Sequence, residues 1–214
     1  MNILDRIQWH EGMLLSPQHF QTESSRVDQL IAFHSMGRQC DAWGIKALEI
    51  DSAMLAGGKF RILTLEAFMP DGTALKWNGK LESSSLEINL EDLSDNVKNS
   101  ETIDIYIGLP LGTRKNKEGN FRFEEKVSDP VVDDFQDGEP IDIPRLTYNL
   151  KIFVNERPPG SYSSFKLCVL KNVDGVIKVG DYIPPLIDIG VSKFLKEELK
   201  SLSEELRSKA TFCA

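Results

Sequence analysis

Glu101-Thr102-Ile103-Asp104-Ile105-Tyr106-Ile107-Gly108-Leu109 decides the fold class. Ile103, Ile105, Ile107 and Leu109 fall at every second position, so an extended backbone carries them all on one side. A helix would scatter them around its axis. The stretch therefore predicts a half-buried strand. Arg145 to Val154 places Leu146, Tyr148, Leu150, Ile152 and Val154 at one parity and is predicted as a single strand. Phe165 to Leu170 is apolar at both parities, which predicts a central strand. Lys59 to Met69 and Thr73 to Trp77 flank Asp71-Gly72, a hairpin signal. Trp43 to Ile50 predicts another strand, followed by a short helix capped by Asp51 and closed by Gly57-Gly58. Leu86, Ile88 and Leu90 alternate as a short edge strand, and Phe121 to Val127 follows as a pairing strand. Pro158-Pro159-Gly160 forces a turn, and Asp174-Gly175 turns the chain into Val176 to Val179.

Between Trp43 and Val179 no helix of ordinary length separates these strands. Parallel neighbours need a long crossover, usually a helix, so the sheets are expected to be antiparallel. The expected fold class is mainly β, an antiparallel sandwich or open barrel.

Helices are expected at the two ends. Pro17 to Gln39 places Phe20, Val27, Ile31 and His34, with Leu30 beside them, on one apolar face expected to pack inward. Gln21, Glu23, Ser25 and Arg26 fall opposite and are expected to be wet, and Gly37 with Asp41 to Gly44 marks the end. After the stiff Pro184-Pro185 joint, Ser192 caps a helix predicted to reach about Ala210. Its leucines, Leu195, Leu199, Leu202 and Leu206, form the narrow seam of a coiled coil rather than the broad face of a helix lying on a sheet. A helix so short and so thinly striped is marginal alone, so it is expected to pair with further helices or with copies of itself. The reading assigns residues 1–188 to a β-sandwich domain and 189–214 to the start of a helical one.

Composition narrows the function classes. The 214 residues carry a net charge of −8 and read as an ordinary globular protein. Between Glu124 and Asp142 lie eight acidic residues and one lysine, so one loop region holds nearly the whole imbalance. An acidic chain without a basic stripe is a poor partner for nucleic acid. No stretch is apolar for the ~20 residues a membrane crossing needs. No secretory signal is visible, and three cysteines, Cys40, Cys168 and Cys213, are too far apart for a disulfide framework or a metal cluster. The expected compartment is a reducing cytosol.

His19 and Glu23 stand four apart on the first helix, but the His-Glu-x-x-His pattern is absent, and a hydrogen-bonded histidine is the better reading. His34 reads as a core histidine. Asp133 to Glu139 suggests a calcium loop, yet Phe135 and Pro144 occupy the third and twelfth ligand positions, leaving a solvated loop or a docking surface for a basic partner. No Gly-x-Ser-x-Gly elbow and no phosphate loop occur. The expectation is a binding or structural protein, not an enzyme, with no cofactor and no metal.

One stretch remains: Trp9-His10-Glu11-Gly12-Met13-Leu14-Leu15-Ser16-Pro17-Gln18-His19-Phe20-Gln21. Gly12 suits a bend, Ser16 a helix cap and Pro17 the first helical turn. Such density at a terminus predicts that something ties it down. The stretch resembles the N-terminal signature of the TssK (ImpJ/VasE) family of type VI secretion baseplate subunits. Trp43-Gly44-Ile45 with Leu48 to Asp51, Pro70-Asp71-Gly72, Leu109-Pro110-Leu111 and Asp181-Tyr182-Ile183-Pro184-Pro185-Leu186 resemble later blocks of that family, in order. The resemblance implies a cytoplasmic, trimeric subunit linking the baseplate wedge to the inner-membrane complex. It implies a β-sandwich shoulder like that of siphophage receptor-binding proteins, gripped by the wedge proteins TssF and TssG. It also implies a helical trimerising section beyond the shoulder and a C-terminal head that meets TssL and TssM. Trp9, Glu11, Met13, Leu15, Pro17, His19 and Phe20 then become candidates for a partner surface or an N-terminal anchor, and Leu195, Leu199, Leu202 and Leu206 for a self-association seam. The alternative is a carbohydrate- or receptor-binding sandwich of phage type, which would use exposed tryptophans among Trp9, Trp43 and Trp77.

Overall fold

In chain order the computed structural model contains α1 (Pro17–Met36), β1 (Gly44–Ile50), α2 (Ser52–Ala56), β2 (Lys59–Phe68), β3 (Ala74–Asn78), β4 (Glu87–Asn89), β5 (Thr102–Pro110), β6 (Phe123–Lys126), β7 (Arg145–Tyr148), β8 (Lys151–Val154), β9 (Tyr162–Val173), β10 (Val176–Val179) and α3 (Lys193–Phe212). It describes residues 3–37, 42–80, 85–93, 100–112, 115–133, 135, 138–173 and 176–212. The expected turn at Asp174-Gly175, the helix stop at Asp41, Cys40, Cys213, Asp134 and Asp137 lie outside the described residues. The chain is mainly β, with antiparallel sheets and a helix near each end, as expected. One four-stranded sheet sets β1, β2 and β3 side by side, with β4 on β2; the other has the order β10-β9-β5-β8; β6 and β7 form a two-stranded ribbon.

Local chemistry explains the joints. Asp51 accepts hydrogen bonds from Ala53 N–H and Met54 N–H, both at 3.1 Å, and so caps α2. At the β2–β3 hairpin Gly72 takes a φ of +83°, a conformation that suits glycine.

The pairing of β5 with β9 revises one expectation. Ile103, Ile105, Ile107 and Leu109 are all buried, and their partners across the ladder are Leu170, Cys168, Phe165 and Ser163. The register shifts between Ile105 and Tyr106, so Leu167 is an extra residue opposite no single partner. Such a bulge inverts side-chain parity. Phe165 and Leu167 before it, and Cys168 and Leu170 after it, are therefore buried together. The apolar run at both parities reflects a bulge in a strand with one principal core face, and β9 is still central in its sheet.

The single strand expected from Arg145 to Val154 is two strands. The chain breaks at Asn149, whose N–H donates to Arg122 O at 2.9 Å, and β7 joins β6 while β8 joins β5. Leu146 is consequently exposed and Leu150 buried, despite their shared parity.

Contacts divide the chain into two compact units. The first, Met1–Ala47 with Glu66–Lys76 and Pro185–Ala214, buries Ala32, Ile45, Ala67, Met69 and Leu75. The second, Leu48–Leu65 with Trp77–Pro184, holds the larger core of Phe60, Ile62, Leu65, Trp77 and the β5–β9 residues. In the second unit Lys166 pairs with Asp104 at 2.7 Å and lies over the Tyr182 ring at 4.7 Å, while Lys171 pairs with Asp181 at 2.7 Å. These cations hold the segment leading to Pro184 against β9. The Lys171 ammonium bound to Asp181 keeps that carboxyl below its usual range.

Cys168 gives the buried core a chemical readout. Burial pushes its thiol up to about 12, with Asp104 reinforcing and Lys166 opposing the shift. The native thiol therefore keeps its proton from the ordinary value of 9.0 to about 12, where an unfolded thiol has lost it, so this group lowers stability as pH rises through that window. In a Cys40→Ser/Cys213→Ser variant at pH 8, iodoacetamide is expected to label Cys168 only as fast as the protein opens. Labelling as fast as in denaturant would contradict the buried placement.

Candidate protein-interaction surfaces

The N-terminal stretch is built on α1. Glu11 and Gly12 form a turn, with Gly12 at φ +80° and Met13 N–H donating to His10 O at 3.3 Å. Ser16 then caps α1 in an extended conformation with Pro17 following. His19 Nδ1 accepts from Ser16 N–H at 3.1 Å and lies 2.9 Å from Ser16 Oγ. The histidine thus completes a capping box, the role a glutamate or glutamine usually fills. Its other neighbour is Trp9, with ring centroids 6.0 Å apart. Leu4 N–H donates to Gln29 Oε1 at 2.8 Å. Five residues of extended chain span about 17 Å, and the ten helical residues from His19 to Gln29 span about 15 Å, so the segment runs antiparallel along α1.

The tie is therefore to the chain's own first helix. Trp9 is 50% exposed, Leu15 57% and Phe20 57%; Glu11 and Pro17 are also exposed, and Met13 is half-buried. These side chains are displayed more than they are packed.

The orientation of α1 is the main correction to the sequence reading. Phe20, Val27 and Ile31 point outward, His34 is exposed rather than a core histidine, and Leu30 is half-buried. Glu23, Ser25 and Arg26, expected to be wet, are half-buried instead. The cause is a close approach of backbone. A Cβ on Gly72 would lie 2.6 Å from Ala32 Cβ and 3.0 Å from Met36 Sδ. The helix docks its smallest side of the stripe, Ala32, onto the glycine of the β2–β3 turn, and Ala32 is its buried residue. The close approach at Gly72 is made by Ala32 and Met36, which lie off the Phe20–Val27–Ile31 stripe.

On α3, Ser192 Oγ accepts from Leu195 N–H at 3.3 Å and starts the helix where expected. Leu195 is half-buried, whereas Leu199, Leu202 and Leu206 are exposed. The leucine seam is thus open along most of its length. Among the described residues, no three His, Cys, Asp or Glu side chains are grouped as a metal ion would need, and no helix is long and apolar enough to cross a membrane. Trp77 is buried and Trp43 half-buried, so the tryptophans that a sugar site would use are not displayed together.

Comparison with known proteins follows the same lines. The family described as "Bacterial Type VI secretion, VC_A0110, EvfL, ImpJ, VasE" matches residues 19–214. The "Type VI secretion system baseplate component TssK1" of Pseudomonas aeruginosa (strain PAO1) is 29% identical over 214 residues, covering 92% of this chain and 46% of that relative. The chain thus spans about half the length of the curated relative it matches. Among solved structures, a chain of the "TssK-TssF-TssG baseplate subcomplex" superposes with a TM-score of 0.79 at 23% identity, over 97% of this chain and 70% of that one. The "Crystal structure of TssK" superposes with a TM-score of 0.76 at 19% identity, over 97% of this chain and 48% of that one. At these identities the superpositions speak for the fold.

Proposed function

Because this chain belongs to the bacterial type VI secretion family of ImpJ and VasE, we propose that it is a non-enzymatic baseplate subunit whose β-rich part binds the wedge proteins TssF and TssG. The observation that carries this reading is the family match over residues 19–214, joined by the fold's likeness to a chain from a TssK–TssF–TssG complex. The exposed N-terminal set, Trp9, Leu15, Phe20, Val27 and Ile31, suits a partner surface better than an internal anchor. Residues 189–214 begin the helical, trimerising section, with Leu199, Leu202 and Leu206 open for partner helices. The contact with TssL and TssM falls to the part of the relatives that this chain does not span. The subunit works in the cytoplasm, on the baseplate at the inner membrane.

Co-expression with TssF and TssG of the same gene cluster tests the reading. The chain is expected to co-elute with them from affinity and size-exclusion columns. Folded protein that elutes alone would overturn it.

A further inference from the structure

The β6–β7 ribbon stands as an arm with a fixed root. Arg122 Nη1 donates to Pro110 O at 2.8 Å, and Asn149 Nδ2 donates to Phe121 O at 3.0 Å. Phe123 and Tyr148 are paired and stacked, 5.2 Å between centroids, and the Arg122 guanidinium lies 5.7 Å from the Tyr148 ring. Pairing continues outward through Glu125 with Leu146 and Lys126 with Arg145. Further out, Ser128 Oγ donates to Ile143 O at 3.0 Å, and Val131 and Ile141 exchange backbone hydrogen bonds at 2.9 and 3.0 Å. The arm therefore has a defined backbone, yet its apolar side chains are open: Val127 is 85% exposed, Leu146 67% and Ile141 63%, with Val132 and Ile143 exposed as well. A two-stranded ribbon is marginal in water, and grouped exposed apolar side chains mark interaction surfaces.

Charge selects the occupant. From Arg122 to Asn149 there are eight acidic residues against three cations, Arg122, Lys126 and Arg145. That balance repels a second copy of the arm, nucleic-acid phosphates and anionic lipid alike. It attracts a cationic protein segment. We propose that the arm is a docking surface for an extended segment of another protein that carries apolar residues together with lysines and arginines. The apolar residues of that segment cover Val127 and Leu146, and its cations meet Glu125, which pairs with Leu146, and Asp129 and Asp142 further out. The inference rests on the wedge-binding reading and assigns the segment to one of the wedge proteins.

The test measures binding of the chain to co-purified TssF and TssG by biolayer interferometry, at about 50 and about 300 mM salt. It compares the unaltered chain with Val127→Ser/Leu146→Ser and with Glu125→Lys/Asp129→Lys/Asp142→Lys, each checked for fold by circular dichroism. Both variants are expected to bind about tenfold more weakly or worse. The unaltered chain is expected to lose affinity at the higher salt more steeply than the charge-reversed one. If the unaltered chain binds and both variants match it, the arm proposal fails and the wedge reading stands. If the unaltered chain does not bind, both fail. Light scattering that shows lost self-association in the variants, with wedge binding unchanged, would assign the arm to a second copy and overturn the proposal.

Discussion

Gly44→Val is expected to lower the unfolding midpoint by about 6–12 °C, the equivalent of roughly 3 kcal/mol in a chain of this size. Gly44 begins β1 at a φ of +138°, a backbone shape that side chains resist. A Cβ there would lie 2.8 Å from both the carbonyl carbon and oxygen of Pro185, and 3.0 Å from Leu186 N. All three are backbone atoms, so no rotamer change relieves the contact. The same place carries the bonds that return the chain to β1: Ile45 N–H donates to Pro185 O at 2.8 Å, and Ile187 N–H donates to Ile45 O at 2.9 Å. Ile45 itself is fully buried. Pushing Pro185 away therefore also breaks hydrogen bonds around a core side chain. Gly112→Ala is the control. Gly112 has a φ of +80° with nothing within 4 Å of its would-be Cβ, so it carries only the conformational cost of about 1 kcal/mol, or about 2–4 °C. Equal shifts in the two variants would show that the close approach at Pro185 adds nothing.

Ile105→Ala is expected to cost about 2–5 kcal/mol, measured by urea unfolding. Ile105 is fully buried and sits beside the bulge, paired with Cys168 on β9 and Val154 on β8. Truncation leaves a cavity between strands whose register the bulge has already fixed, so collapse onto the void is limited. Leu146→Ala is the counterpart. It occupies an equally regular alternation in the sequence, but Leu146 is 67% exposed, and the change is expected to stay within about 0.5 kcal/mol. Comparable losses in the two variants would mean that β7 belongs to the core after all.

That contrast shows what alternation can and cannot say. The spacing of Ile103 to Leu109 is enough to predict a strand with one buried face, and the fold class follows from repeated strands without crossover helices. Alternation from Leu146 to Val154 carries the same signal, yet Asn149 hands the chain from one sheet to another. Parity records the backbone conformation, whereas sheet membership depends on partners distant in sequence. The bulge at Leu167 is hidden for the same reason: a residue becomes surplus only against a particular neighbour strand.

The candidate surfaces were legible in type and not in direction. The sequence marks Phe20, Val27 and Ile31 as an apolar stripe on α1, whereas in the structure that stripe is exposed and Ala32 packs closely against Gly72. Ser16 and Pro17 were readable as a helix start and His19 as a hydrogen-bonded histidine, but the imidazole's place as the N-cap partner was not, since histidine seldom fills it. On α3 the thin leucine stripe was legible, and Leu199, Leu202 and Leu206 on it are exposed.

The proposed role makes this β-rich part of the chain a wedge-binding shoulder. Hydrogen exchange followed along the chain, alone and with TssF and TssG, tests it most directly. Slower exchange is expected in the exposed segments on binding, foremost the β6–β7 arm, while the buried pairing of β5 with β9 exchanges as before. Folded chain whose exchange is unchanged at every segment in the presence of both wedge proteins would contradict it.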